Sequence, residues 1–394
     1  MRLLVHDFGG YPFPLPMSRA LAARGHTVRH VYCGSLATTP NDALPRCPDD
    51  PATLSIERID LGEPLAKYDF VKRWRQERRY GRLVARATDA FAPDVVLSGN
   101  TPLDAQRPLL RTCRRRGIRF VFWVQDLLGV AAHRLLRAKI PVVGDAVGRY
   151  YTALERRLLR RSDAVVCITE DFVPLLTRYG VDPARLHVVE NWAVREDTPP
   201  RPKANAWARR HALADAFCFL YSGTLGMKHN PALLLALADR FRDRPEVRVV
   251  VVSEGLGAEW LRERPRENLV LLPFQPYDAL PGVLGTADVL TAVLEPDAGV
   301  FSVPSKVLTY LCAERPLLLA VPPENLAARI VQREAAGLLA APTDADAFLA
   351  AAERLYAEAD LRRRLAANAR RYAERAFDLD AITDRFEQIL NAAR

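Results

Sequence analysis

Short apolar runs alternate with longer amphipathic stretches along most of the 394 residues, a spacing that predicts strands followed by helices. Residues 2–5 form the first such run. His6-Asp7-Phe8-Gly9-Gly10 ends it, a helix is expected over about 16–24, and residues 27–32 are the next strand. Similar runs follow at 95–98, 119–124, 164–169 and 187–190, with helical patterns between them. Alternation of this kind implies a parallel sheet covered on both faces. A polar, proline-rich stretch at 195–203 then breaks the pattern and is the expected linker. After it come strands at 218–221, 247–252, 269–272, 289–292 and 317–320, with helices at 231–241 and about 304–313. Residues 378–394 place Ile382, Phe386, Ile389 and Leu390 on one helical face, which needs a partner surface. The expectation is an α/β chain of two Rossmann-like, doubly wound parallel-sheet domains, 1–195 and 196–377, with a terminal helix over 378–394 packing back on the first.

Composition supports two domains of ordinary size, because 394 residues exceed what one core usually serves. Hydrophobic residues at 49% and charged residues at 26% exclude a disordered or fibrous chain. The six cysteines are scattered, with no close pair to start a zinc or redox motif, and most have the setting of small core residues. No apolar run reaches the roughly 18–20 residues of a spanning helix, and the first residues lack a signal-peptide pattern. A reducing cytoplasm is therefore expected. The net charge of +9 comes from the first half: 31 basic against 20 acidic residues over 1–195, and 25 against 27 over 196–394. Arg75, Arg79, Arg82 and Arg86 share one helical face, with Phe70, Val71, Trp74 and Leu83 beside them. A solvated face and a contact with anionic lipid headgroups are both open. Nucleic acid is not expected as a partner, since no aromatic-interleaved basic motif accompanies the charge.

Candidate chemistry concentrates in the second half. Tyr221 to Pro231 reads YSGTLGMKHNP, a strand running into a glycine-flanked turn and then a helix. Gly223 and Gly226 permit a tight turn, Lys228 adds positive charge, and Asn230-Pro231 supplies an N-cap and a first-turn proline. Helix-start amides there would face an anion, and a nucleotide diphosphate is the natural candidate. About eighty residues on, Ser302-Val303-Pro304-Ser305-Lys306 precedes a second helical run. Two cationic turns beyond strand carboxyl ends suggest two sides of one diphosphate site. Glu254-Gly255-Leu256-Gly257 lacks the full dinucleotide fingerprint. Asn191-Trp192 and Trp207 are expected to pack the domain junction.

These residues, with HDFGGYPF near the start, FWVQD at 122–126, ENWA at 190–193, LPFQPY at 272–277 and SVPSKVLTYL at 302–311, resemble the GT-B glycosyltransferases of family 4. The likeness is to the colanic-acid and O-antigen amino-sugar branch, and it spans nearly the whole chain. It implies two domains facing a cleft. A sugar would pass from a UDP- or GDP-linked donor held by the second domain to a glycan or polyprenol-linked acceptor held by the first, in cell-surface polysaccharide or glycoconjugate synthesis. Retention is implied, with no bound metal and no cofactor beyond the nucleotide-sugar itself. Gly223, Thr224 and Lys228 match the diphosphate turn, and Ser305 and Lys306 a second phosphate-side loop. Phe274 and Gln275 match a loop that contacts the base. Gly9 and Gly10 match the loop facing the donor phosphates, and Asp126 a polar position beside the transferred sugar or acceptor.

Departures from the family pattern shape the chemistry. Of its two glutamates separated by seven residues, the first falls on Gly299 when aligned on Pro304, and the second on Thr309 when aligned on Pro316; Thr309 is carried here as a donor-side position. Glu295 or Asp297 would substitute for the missing carboxylates. Thr224 replaces the usual arginine, so Lys306 would supply the missing charge. Lys228, Lys306 and Asp126 are the expected catalytic residues: the lysines stabilise the leaving diphosphate, and Asp126 orients hydroxyls or, for an inverting enzyme, acts as base. A helix-capping role for Asp126 stays open, as does a purely loop-ordering role for His6 and Asp7. The alternatives are a nucleotide-sugar 2-epimerase and a non-catalytic nucleotide-sugar-binding protein. The expected setting is cytoplasmic, peripheral on the inner face of the plasma membrane.

Overall fold

A computed structural model describes the chain except residues 37–43, 45, 67–68, 227–228, 297–302 and 394; the side chains of 138 and 139 are also left aside. Its contacts divide it into two compact units, Met1–Glu190 with Leu379–Arg394, and Asn191–Asp378. Each is built around a parallel sheet.

In the first unit seven strands, β1 (Arg2–Asp7), β2 (Thr27–Cys33), β3 (Leu54–Ile59), β4 (Val95–Gly99), β5 (Arg119–Val124), β6 (Ala164–Cys167) and β7 (Leu186–Val188), lie in the order β3-β2-β1-β4-β5-β6-β7. All the pairings are parallel. The helices are α1 (Pro14–Ala23), α2 (Phe70–Phe91), α3 (Leu103–Arg116), α4 (Leu128–Lys139), α5 (Pro141–Arg161) and α6 (Val173–Arg178). The central strands are buried end to end, β4 at every position, which explains why they appear in the sequence as near-continuous apolar runs.

The second unit repeats the plan with six strands: β8 (Phe217–Ser222), β9 (Val247–Val252), β10 (Leu269–Leu272), β11 (Val289–Val293), β12 (Leu317–Ala320) and β13 (Gly337–Ala340), in the order β10-β9-β8-β11-β12-β13. Its helices are α7 (Ala206–Arg210), α8 (Pro231–Arg240), α9 (Leu256–Arg262), α10 (Leu280–Gly285), α11 (Ser305–Cys312), α12 (Leu326–Arg333), α13 (Ala345–Ala357) and α14 (Ala359–Ala376). The segment expected as the linker is packed against the second unit. Arg195 donates to the Glu374 carbonyl (3.2 Å), and Lys203 to the Thr286 carbonyl (3.0 Å) and to Asp288. Trp207 likewise sits inside this unit, stacked on His211 with its indole N–H on Gln275 (3.0 Å). Five cysteines are buried and Cys47 is exposed; all are free.

The last helix, α15 (Leu379–Ala393), belongs to the first unit. Its apolar face, with Ile382, Phe386, Ile389 and Leu390 buried, docks on α1 and β5. Arg24 pairs with Asp384 (2.6 Å) and Glu387 (3.0 Å), and His26 with Glu387 (2.7 Å), so polar contacts fix the helix at its rim. In the interior, the Phe386 ring meets Trp123 edge-on at 5.0 Å between centroids, and Trp123 meets Phe13 at 5.7 Å. The terminal helix thus braces a large side chain at the carboxyl end of β5.

Phe386→Ala is expected to destabilise the first unit by about 3–5 kcal/mol through the cavity left beside Trp123. Denaturant unfolding followed by tryptophan fluorescence checks this; a loss below about 1 kcal/mol, the scale of ordinary surface changes, would remove α15 from the core.

Candidate functional site

In an open parallel sheet, the point where strand order reverses leaves a crevice beyond the strand carboxyl ends. Here the reversals fall between β1 and β4 in the first unit and between β8 and β11 in the second. Gly9 and Gly10 lie at the first reversal, and Gly223, Thr224 and Lys306 at the second.

In the second unit, β8 ends at Ser222, whose amide and carbonyl both bond the Tyr310 hydroxyl at 2.8 Å. Gly223 then takes φ +121, a conformation L side chains rarely adopt, so the turn requires glycine. Lys306, at the start of α11, folds over this turn. Its ammonium bonds the Tyr221 hydroxyl, lies 3.8 Å from the centroid of the Tyr221 ring and reaches the Thr224 carbonyl at 3.4 Å. A Cβ on Gly223 would stand 3.3 Å from Nζ. Burial, then the neighbouring Tyr310, push the Tyr221 phenol well above its usual pKa, so it stays a neutral partner for the ammonium. The two segments expected to share a ligand are therefore in contact at the Lys306 end. Lys228 lies outside the described residues, as do Asp297 and Gly299.

Among the described residues of the turn, three amides are already paired: Gly223 donates to Val252 (3.0 Å), Leu225 to Glu254 (3.1 Å) and Gly226 to His229 Nδ1 (3.0 Å). Asn230 caps α8 through the Ala232 amide (3.1 Å), and Pro231 has no N–H. Positive charge at this site comes from side chains, Lys306 above all. Glu254 to Gly257 is scaffold: the Gly257 amide bonds Leu225 (2.8 Å), holding the turn from beneath.

The remaining positions expected on the donor side share the same sheet edge. Glu295 is half-buried two residues past β11, and Ser305 and Thr309 stand on α11, exposed and half-buried. Phe274 and Gln275 follow the edge strand β10. Phe274 is exposed, while the Gln275 amide is committed to Trp207 and to the Pro273 carbonyl (3.0 Å).

In the first unit, Gly9 and Gly10 follow β1 and Asn100 and Thr101 follow β4. Asp7 ties the two loops together: its carboxyl accepts from the Tyr11 amide (2.6 Å) and the Asn100 side chain (2.7 Å). Asn100 itself takes a left-handed φ of +53, tolerated by asparagine. Burial raises the Asp7 pKa to about 6 against the opposing bonds from Asn100, Tyr11, Gly9 and Gly10. His6 is buried between Ser98 (2.9 Å) and Tyr80 (3.1 Å), and burial, then His30, lower its pKa to about 3. Asp7 orders the glycine loop; His6 packs beneath it.

These loops open onto a cavity of about 560 Å³ lined by Tyr11, Trp123, Leu128 and Leu135 on its apolar side and by Asp126, Arg73 and Glu155 on its polar side. Asp126 is exposed in the bend after β5. It does not occupy the N-cap of α4, which is Leu127 without a side-chain cap. The first turn of α4 is held instead by Glu155 of α5, which accepts from the Gly129 amide at 3.0 Å. Glu155 is 2% exposed, and its other oxygen has no hydrogen-bond partner among the described residues. Burial raises its pKa to about 7, opposed by the Gly129 and Leu128 amides. Arg73 and Glu77 form an ion pair (2.6 Å) in the cavity wall. Neither Glu155, Arg73 nor Glu77 stood out in the sequence; the available signal was a glutamate at position 155 within the apolar stripe of Leu154, Leu158 and Leu159.

Two Rossmann-like units of this kind define the GT-B class, and comparison with known proteins agrees. Residues 13–192 match the glycosyl transferase 4-like domain, and residues 216–358 match glycosyl transferases group 1. The chain belongs to the family 4 glycosyltransferases of the GT-B fold. WcaI of Escherichia coli (strain K12), a glycosyl transferase named for colanic acid biosynthesis, is 29% identical over 175 residues, which span 43% of each chain, so the match covers less than half of that relative. Among solved structures, Anabaena HepE in complex with UDP-glucose superposes with a TM-score of 0.72 at 13% identity, over 100% of both chains. Sucrose-phosphate synthase from Thermosynechococcus elongatus gives 0.71 at 16%, covering 99% of this chain and 98% of that one. WaaG, a glycosyltransferase involved in lipopolysaccharide biosynthesis, gives 0.69 at 16% over 99% of both. At these identities the structures attest the fold.

The raised pKa values of Asp7 and Glu155 set a sign for stability. Each favours folding fully below its unfolded value, 3.8 or 4.5, and that contribution is lost as pH rises through about 6 and about 7. Glu155→Gln, which keeps an acceptor for Gly129, should therefore gain in Tm relative to wild type between about pH 5 and about pH 8. Thermal unfolding across that range checks it; a constant difference would contradict the assignment.

Proposed function

We propose that the chain transfers a glycosyl group from a UDP- or GDP-sugar held by its second unit to an acceptor held in the cavity of its first. The observation that carries this reading is the Lys306 ammonium against the Gly223–Thr224 turn, at the strand-order reversal where such sheets bind nucleotides. HepE, of the same fold, is described with UDP-glucose bound, which supports a nucleotide-sugar donor. The names of WcaI and WaaG support a place in cell-surface polysaccharide or glycoconjugate synthesis. Family membership does not favour the 2-epimerase and non-catalytic readings.

The reaction breaks the bond between the anomeric carbon and the β-phosphate oxygen and leaves the electron pair on the diphosphate. Lys306, joined by Lys228, meets that charge without a resident metal, since preorganised cations in a partly dry site act strongly on charge as it develops. The acceptor hydroxyl attacks the anomeric carbon from the face the diphosphate leaves, its proton passing to the departing oxygen, and the configuration is retained. Asp126, in the cavity wall, orients that hydroxyl. Glu295, Ser305 and Thr309 contact the donor, and Phe274-Gln275 the base. A cytoplasmic protein resting on the inner face of the plasma membrane suits a polyprenol-linked acceptor. Among the described residues, no helix is long and apolar enough to cross a membrane.

A thermal-shift panel of UDP-, GDP-, dTDP- and ADP-sugars should give one clear stabilisation. With that donor, Lys306→Ala should lower kcat by about 10²–10³-fold, the cost of removing one preorganised donor. A fully active Lys306→Ala protein, or no shift with any sugar nucleotide, would overturn the reading. Product anomeric configuration by NMR decides retention; inversion would make Asp126 the base.

A further inference from the structure

Among the described residues, the largest group of exposed apolar side chains lies in one place. Helices α4 and α5 form an antiparallel hairpin whose tip presents Ile140, Val142, Val143 and Val147, with Val142 84% and Val143 60% exposed. The shaft is closed by its own contacts: Gly144 backs onto Leu136, Gly148 onto His133, and His133 bonds Asp145 at 2.9 Å. The tip side chains are therefore not needed to hold the hairpin together. Glu155 grips the start of α4, and Pro141 lies fourteen residues earlier on α5, so the hairpin runs on for about 21 Å at 1.5 Å per residue. Residues 128–161 hold eight basic residues against two acidic, and Arg134, Arg137 and Arg149 are exposed near the tip. The hairpin also walls the cavity, through Leu128, Ala131, Ala132 and Leu135. Leu135 is at once a cavity residue and 60% exposed, about one helical turn from the tip. On the opposite wall, α2 supplies Arg73 to the cavity and exposes Phe70 and Val71 just before it.

We infer that the α4–α5 tip seats in the interface of a bilayer containing anionic lipid, and that the acceptor's apolar chain enters the cavity from that bilayer past Leu135. An apolar tip ringed by arginines matches the depth profile of such a membrane, acyl boundary inside and negative headgroups around it. Arg134 and Arg137 flank the tip, while Arg149 is paired with Asp145. The basic face of α2, Arg75 to Arg86, adds attraction, with the exposed Phe70, Val71 and Trp74 at its start. The lipid-borne nature of the acceptor rests on the function proposed above; the membrane contact does not.

Flotation of the full chain with vesicles tests the contact. Wild type should float with equimolar phosphatidylcholine and phosphatidylglycerol and not with phosphatidylcholine alone. Val142→Glu/Val143→Glu, at exposed positions, should lose at least about tenfold in bound fraction, the order expected for two charges driven into an apolar interface. Arg75→Glu/Arg79→Glu should keep most of it. Wild type failing to float, or the tip variant floating as well as wild type, overturns the contact. For the cavity route, the tip variant should lose transfer to a polyprenyl-linked acceptor in vesicles while retaining it in detergent micelles; equal transfer in vesicles overturns the route. Donor hydrolysis without acceptor, expected unchanged in the tip variant, separates the two readings: its absence from wild type would sink the transferase assignment and leave the flotation result standing.

Discussion

Parallel strands pointing one way gather every carboxyl end on a single edge, and reversal of strand order at β1/β4 and β8/β11 opens that edge at two points. The rest of the structure depends on this constraint. Loops from distant sequence become neighbours there: Asp7 meets Asn100 in the first unit, and Gly223 meets Lys306 in the second. Side chains from neighbouring helices hold adjoining turns. Tyr310 clamps the last residue of β8, and Glu155 clamps the first turn of α4.

At the second reversal the cation is held under tension of a mild kind. A lysine in the first turn of a helix opposes the macrodipole by a few tenths of a kcal/mol. Lys306 answers by folding away from its own helix, onto the Tyr221 ring and hydroxyl and the Thr224 carbonyl. These partners are neutral. In the proposed reaction a diphosphate is the stronger partner, for which the ammonium would exchange a phenol and a carbonyl. The committed amides of Gly223, Leu225 and Gly226 make the turn rigid while leaving attraction to side-chain charge.

Much of this was legible in the sequence, for identifiable reasons. Parallel strands leave short, mostly apolar runs, so β5, β9, β10 and β12 were placed at their observed bounds. Gly223 announced its turn because no side chain suits φ +121. The apolar face of 378–394 showed that α15 needed a surface. Other features had no local signature. Glu155 acts on residues 26 positions away, and nothing near it in sequence marks that contact. The sequence drew attention to the charge on α2, whereas the exposed apolar tip at 140–147 became visible only when the two helices were seen to close on each other, leaving valines outward. The pairing of the Gly223 and Leu225 amides with Val252 and Glu254 had no local signature either, because the sheet brings those partners near.

The most direct test is a crystal structure of the full chain with UDP. The account predicts the diphosphate beside the Gly223–Thr224 turn, with Lys306 Nζ within about 3 Å of a phosphate oxygen, the length of a charge-assisted hydrogen bond. Diphosphate bound elsewhere, with the Lys306 ammonium still folded onto Tyr221, would contradict it.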